Sequence, residues 1–531
     1  MDRAGLSGAI IAELGTVFTE ALTAAAPTFL TLDLDGLERQ VQALGRQVLG
    51  RVVEQVVAAR AAATGGAAPA CGQCGGPTRC VGQGRPRQLQ GLVGDYTLRR
   101  PYYVCAACHA GHAPLDAPLG LDGGALSPGL SRVACRLGLE GAFGAAADQV
   151  AETLGVTVAE EAVRRITEGV GAVAEAEQQA RIAQAQRGQA LPPRPRGADE
   201  VPSPLLVVEV DGVQVPLVGA WHELKVSRVA PLGPALRTDP ETGRTHLALG
   251  PSGYGAGLEP AEACWWRTYA EACRQGLGAW VRTVVVLGDG AEWIWAHAQR
   301  FLGLPGVEVV EILDIYHAYQ HLWTVGHAVF GVGSPAAAAW VEPLKDRLYT
   351  DGAAPVLAAL ATLTPAEPSA AEEVRLALGY FTTHAARMAY PCFVARQFPI
   401  GSGAVESACK SLIEQRAKHS GMRWRAAGLQ AVASLRALHR SGGWAAFWQT
   451  HPQRRRPLVV PRPAGPAPAA PSAPRPVAAL AADPRLARRP TGRHDPPPAP
   501  PTPTPLHPPA PARPAPSHPW RRPLRPHARS A

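Results

Sequence analysis

The chain has 531 residues, 46% of them hydrophobic, and its 52 Lys and Arg against 43 Asp and Glu give a net charge of +9. At roughly 100–200 residues per domain this is a chain of about three to four domains, able to bury sizeable cores. No apolar run approaches the ~20 residues of a membrane span, the acids Asp2 and Glu13 flank the first apolar stretch with no cleavage-site pattern, and ten Cys are too sparse for a disulfide scaffold. These features describe a soluble intracellular protein.

Leu37, Val41, Leu44, Val48, Val52 and Val56 recur at three- and four-residue steps, so residues 1–66 are expected to form a helical region for packing or dimerisation. Residues 67–115 hold two C-x2-C pairs, Cys71/Cys74 and Cys105/Cys108. Each such turn aims two thiolates at one point, and together they supply the tetrahedral sulfur set that zinc prefers. The gap between them is longer than in compact zinc fingers, but alternation over Gln88–Tyr103 can fill it as a zinc ribbon. Cys80, His109 and His112 stand near enough to substitute for a ligand; otherwise Cys80, Cys135, Cys264, Cys273, Cys392 and Cys409 read as buried small hydrophobes.

Residues 120–183 read as helical. Within them a first helix would end at Leu154, Gly155 would turn the chain, and Thr157 with Glu160 would make a capping box opening a second helix. That second helix carries Arg164 and Arg165, where the recognition helix of a helix-turn-helix touches DNA; an ordinary helical hairpin is the alternative. Prolines across 184–204 predict a linker.

From 205 to 319 strands and helices alternate. Leu205–Val210 is a Leu/Val run interrupted by Glu209, as in a strand buried on both faces, and Asp211 is expected at its end. Val213–Val218 and Leu224–Val229 read as further strands. Arg282–Gly288 is a second buried run leading to Asp289-Gly290, and Val307–Leu313 a third, leading to Asp314 and His317. Residues 320–398 are helical, and 399–450 open on Ile400-Gly-Ser-Gly-Ala-Val-Glu406-Ser-Ala-Cys-Lys410. Each of these acids alone is an ordinary turn or helix-start residue. Carboxylates that meet can hold two hard cations, which together bind the attacking and the leaving oxygen of a phosphodiester. Lys410, Arg416, Lys418, Arg423, Trp424 and Arg425 then mix cations with an aromatic ring, a pattern suited to phosphate contact and base stacking. Residues 451–531 are low in complexity: Pro452–Ala531 hold 26 of the 53 prolines, with 14 Arg and two Asp. A tail of that composition cannot bury enough apolar surface to order itself. Because only four of the 52 basic residues are Lys, Arg richness by itself says little about partners.

The order Val210-Asp211-Gly212, Gly288-Asp289-Gly290-Ala291, Leu313-Asp314-Ile-Tyr-His317, the Glu406 segment and Ser420-Gly-Met-Arg-Trp424 resembles bacterial insertion-sequence transposases of the ISKra type, related to the ISLre type and the Mutator-like group. The resemblance spans roughly residues 20–450. It implies an α/β, RNase H-like core interrupted by an all-helical insertion, with Asp211, Asp289 and Glu406 as an Asp-Asp-Glu triad holding two Mg²⁺ ions, or Mn²⁺ in their place. Asp314 and His317 match a secondary motif, and Asp314 stands as the alternative second aspartate. The implied partners are double-stranded DNA at element ends and target, and a second copy of the chain, in the bacterial cytoplasm. Two rival readings remain at this stage: a non-catalytic DNA-binding protein, and a structure-specific nuclease on the same fold.

Overall fold

The computed structural model describes residues 3–63, 68–121, 124–197, 200–238 and 245–454; of the tail expected to be disordered, 451–454 are helical and the rest lies outside the described residues. Two long helices come first, α1 (Arg3–Phe29) and α2 (Leu34–Ala63), packed against each other. The predicted stripe on α2 is only partly covered: Leu44 is buried, whereas Val41 and Val56 are exposed. With Leu34 and Leu49 these form an apolar line along α2, and Ile11, Phe18 and Leu22 form another on α1.

A hairpin of β1 (Thr78–Gly91) and β2 (Gly94–Cys105) follows, edged by the two-residue strand β3 (Gly111–His112). α2 lies on β2, where Glu54 accepts a hydrogen bond from the Thr97 amide at 2.6 Å. Next come α3 (Pro128–Glu140), α4 (Phe143–Leu154) and α5 (Glu160–Gln186), with a small core of their own around Leu130, Val150 and Val163. Gly155 ends α4 in the left-handed conformation, as the sequence suggests. The expected capping box does not form: α5 starts two residues later, with Ala159 at its N-cap. The cause is the burial of Val156 and Val158, which keeps this segment extended, while the Thr157 carbonyl accepts from the Gln90 side chain. The expected linker is tied down. The Arg194 amide donates to the Arg274 carbonyl at 2.8 Å, its side chain pairs with Glu200, and the Thr283 amide donates to the Pro204 carbonyl at 3.0 Å.

The central sheet has the order β6-β5-β4-β8-β9, with β7 also pairing β5. Its strands are β4 (Leu205–Pro216), β5 (Trp221–Thr238), β6 (Thr245–Leu249), β7 (Gly253–Gly257), β8 (Thr283–Gly288) and β9 (Glu308–Leu313). β4 and β5 are antiparallel; β8 runs parallel to both β4 and β9. Every residue of β8 is buried, which its Thr-Val-Val-Val-Leu-Gly sequence allows at the middle of a parallel ladder. α6 (Ala261–Arg274) and α7 (Glu292–Leu302) make the crossovers that bring β8 and β9 into line. One expectation fails in detail. Asp211 is not at the end of a strand, because β4 continues through it to Pro216, and Val213–Val218 is that continuation rather than a separate strand. Val213 and Val215 are buried in a second core shared with Val405 and Leu412, and this holds the strand straight.

The helical stretch after β9 comprises α8 (Ile315–Phe330), α9 (Pro335–Asp351), α10 (Ala354–Ala361), α11 (Pro368–His384) and α12 (Tyr390–Ala395). It shares the main core with β4, β8 and β9 through Leu322, Val341, Phe381 and Tyr390. The chain returns as α13 (Gly403–Ala408), a π-helical turn (Cys409–Glu414), the short turn α14 (Gln415–Ala417), α15 (Ala426–Arg440) and α16 (Trp444–Arg454). α15 packs along α5, so the long N-terminal helix and the last helices close one side of the sheet together.

Candidate metal centres

Register places three acids side by side. Glu209 pairs with Leu287 across β4 and β8, so Asp211 and Asp289, each two residues further on, fall level. Gly288 pairs with Leu313 across β8 and β9, so Asp289 and Asp314 also fall level. Adjacent strands lie about 4.8 Å apart, so three neighbouring chains deliver one carboxylate each to the same edge. Burial, with the nearby Asp289 charge adding to it, raises the Asp211 carboxyl above its ordinary range. Its Oδ1 accepts the Gly212 amide at 2.7 Å, and its Oδ2 accepts the Cys409 thiol at 3.4 Å. Asp289 Oδ1 accepts the Ala291 amide at 3.0 Å, and the Tyr380 hydroxyl donates to the Asp289 carbonyl at 3.3 Å.

Asp314 is fully buried and caps α8 through the Tyr316 amide at 2.9 Å. Its other oxygen takes the Ser402 hydroxyl at 2.6 Å. Burial again pushes this carboxyl up, with Glu406 adding to the push while Ser402, Tyr316 and His317 oppose it. The segment before α13 reaches this point because Gly401 has no side chain: a Cβ there would sit 2.7 Å from the Tyr316 ring. The Ile315 amide donates to the Ile400 carbonyl at 3.0 Å and fixes the approach. Glu406, in the first turn of α13, then meets His317, and one ligand atom each from Asp314, His317 and Glu406 lies within 4.8 Å of the others. Asp211 and Asp289 border this group without belonging to it. No carboxylate lies on β4 between Asp211 and the buried pair of Glu209 with Arg228 at 2.6 Å, and burial lifts Glu209 to about 7 despite that arginine.

The second centre is built by two turns. Cys71 and Cys74 precede β1; Cys105 ends β2 and Cys108 follows. Their sulfurs are 3.4–3.6 Å apart across the Cys74–Cys108, Cys74–Cys105 and Cys71–Cys108 pairs. Bonds of about 2.3 Å to a common tetrahedral ion would set sulfurs roughly 3.8 Å apart, so the group could hold a zinc ion. Amide donors, chiefly that of Cys108, lower the Cys105 thiol to about 6, which favours the thiolate that a metal needs. Cys80, His109 and His112 are not part of the compact group. Of the six remaining cysteines, Cys135, Cys264, Cys273 and Cys409 are buried as expected, but Cys80 and Cys392 are exposed.

The residues expected to meet nucleic acid divide into two groups. Lys410, Arg423, Arg425 and Arg165 are exposed. Arg416 and Trp424 are not: they are 1% and 6% exposed and belong to the fold. The Arg416 guanidinium packs on both the Phe143 and Trp424 rings, which meet edge to face, and donates to the Gly138 carbonyl at 2.9 Å. The Trp424 amide donates to the Pro216 carbonyl at 3.1 Å, joining the loop to the end of β4. Lys418 is paired with Glu414 at 2.7 Å. Arg164 is held by Glu161 and Glu168 on its own helix, so the predicted recognition helix carries its first arginine already neutralised.

Sequence reasoning passed over Ser402 and Cys409, although both lie inside the quoted Glu406 segment; spacing alone does not show that a hydroxyl and a thiol turn back toward Asp314 and Asp211. Tyr380 carried no signal, since it comes from the helical stretch about ninety residues from the acid it supports. Neither a scan against protein-family models nor a search of curated proteins returns a match for this chain.

Proposed function

We propose that the protein is a DNA transposase: an RNase H-like nuclease core with Asp211, Asp289 and Glu406 as its triad, cutting and joining phosphodiesters at the ends of a mobile element. The observation that carries this reading is the register that sets Asp211, Asp289 and Asp314 level across three neighbouring stretches of chain while a helix from the far side of a helical stretch brings Glu406 to Asp314. The mixed sheet, with β4 antiparallel to β5 and parallel to β8, and β8 parallel to β9, supports this reading.

The oxygen donors of Asp211, Asp289 and Glu406 suit magnesium, and burial of Asp211 beside Asp289 is electrostatically awkward without a cation. When bound, divalent ions would supply Lewis acidity to the reacting phosphate and a more acidic water. The protein's own part is positional. The Gly212 amide and Cys409 thiol orient Asp211, the Ala291 amide orients Asp289, and the main core behind the strand ends keeps bulk water from that side. Lys410, Arg423 and Arg425 are the exposed cations beside the Glu406 helix in sequence and are assigned to the phosphate backbone. Joining two element ends requires two copies, and the exposed apolar lines of α1 and α2 offer a surface for pairing.

The test is end cleavage and strand transfer in vitro with Mg²⁺, using DNA that carries the sequences flanking the coding region. Asp211→Asn and Glu406→Gln are each expected to lower joining by at least 10³-fold. Near-normal joining by either variant overturns the triad; cutting without joining makes the protein a nuclease on this fold; DNA binding with neither makes it a non-catalytic binder.

A further inference from the structure

We infer that Asp314, His317 and Glu406 form a divalent-metal site of their own, with mixed nitrogen and oxygen ligands, that takes a first-row transition ion in preference to magnesium. It shares Glu406 with the nuclease reading and stands without it.

Three features support the site. The first is convergence: one ligand atom from each residue lies within 4.8 Å of the others, from the end of β9, the first turn of α8 and the first turn of α13. His317 Nε2 and Asp314 Oδ2 are 4.0 Å apart. That is too far for a hydrogen bond between them and close to the separation of two ligands on opposite sides of one ion with bonds of about 2.1 Å. The second is preparation. Asp314 is wholly buried, with the Ser402 hydroxyl and the Tyr316 amide fixing both oxygens, the outer-shell support that orients a metal-binding carboxylate. The third is what remains unmatched. Among the described residues the half-buried Glu406 carboxylate has no hydrogen-bonding partner, and it stands against the buried Asp314 with a half-buried imidazole beside them. Two carboxylates and one imidazole leave the remaining positions of a five- or six-coordinate ion open to water or substrate.

The imidazole decides the preference. Magnesium takes oxygen ligands almost exclusively, whereas an imidazole suits iron, nickel, copper and zinc, and manganese stands at the weak end of that transition series. A purely carboxylate centre on Asp211, Asp289 and Glu406 has no such discrimination built in. His321, one turn further along α8, is not a ligand in this arrangement; it stacks on the Tyr380 ring at 3.8 Å.

Mn²⁺ is the probe, because it has little affinity for the four-cysteine group once that group is filled with zinc. Full-length protein carrying one equivalent of Zn²⁺ is titrated with Mn²⁺ by electron paramagnetic resonance, and with Mg²⁺ in competition. The wild type is expected to bind one Mn²⁺ at least tenfold more tightly than Mg²⁺. His317→Ala is expected to weaken that Mn²⁺ at least tenfold and to change Mg²⁺ affinity less than twofold, while His321→Ala leaves both unchanged. Spin-echo modulation from a directly coordinated imidazole nitrogen is expected in the wild type, which tests the site even if a variant fails to fold. Equal affinities for the two ions, unchanged Mn²⁺ binding in His317→Ala, or absence of the nitrogen signal each overturns the proposal. If the site is found but no strand joining occurs, the transposase reading falls and this one stands.

Discussion

Glu209 and Asp211 sit two residues apart on β4 and so share a face of the strand, yet they live in different chemistry. Glu209 is fully enclosed and survives there because Arg228, directly opposite on β5, closes a 2.6 Å ion pair. Such a pair adds little by existing, but removing one partner strands a charge. Arg228→Met is therefore expected to destabilise the fold by about 3–5 kcal/mol, and the double variant with Glu209→Leu to recover most of it; urea unfolding of the two variants checks both. Asp211 is only half-buried, and its neighbours are an amide and a thiol rather than a cation. The chain thus balances charge at the buried position and leaves it unbalanced beside the ends of β8 and β9.

Among the elements, α5 shows how a helix drafted for one role serves another. Its N-terminal turns hold the arginine predicted to read DNA, while Glu175 further along binds Arg267 of α6 and the Ser434 hydroxyl of α15. Burial alone would raise the Glu175 carboxyl, but Arg267 and Ser434 outweigh it and leave the group below its ordinary value. A carboxyl lowered on folding adds stability above its unfolded pKa, and that stability is lost as pH falls through the folded one. Glu175→Gln should therefore cost about 1–3 kcal/mol near neutrality and progressively less below about pH 4, a convergence that denaturant midpoints measured across that range reveal. The buried strands, the helices and the two-cysteine turns were legible in the sequence because each is a local pattern: a Val run, a helical period, a C-x2-C. The fate of Arg416 and Trp424 was not. A cation beside an aromatic looks the same whether it faces phosphate or, as here, is buried against Phe143 from two hundred and more residues away. The extension of β4 past Asp211 was hidden for the same reason, since it depends on burial of Val213 and Val215 against residues beyond 400.

At the scale of the molecule, the cysteine-bearing hairpin has its own small cluster, Val57, Leu89 and Leu98, separate from the cores around the central sheet. A unit with so little apolar surface is the kind that a metal on its four cysteines would staple. Cys74→Ser, or a strong chelator, is expected to abolish hydrogen-exchange protection across β1 and β2 while β4 and β8 keep theirs; uniform loss would mean the two regions unfold together. The acids of the central sheet follow the opposite plan, for they are drawn from distant stretches of chain. A translating ribosome, at 5–20 residues per second, produces Asp314 some 5–20 s before Glu406, with the helical stretch emerging in the interval. Throughout that time the nascent polypeptide already exposes three of its acids and lacks the fourth. A product cut short anywhere before residue 406 therefore carries Asp314 and His317 without the Glu406 carboxylate that the folded chain brings to them.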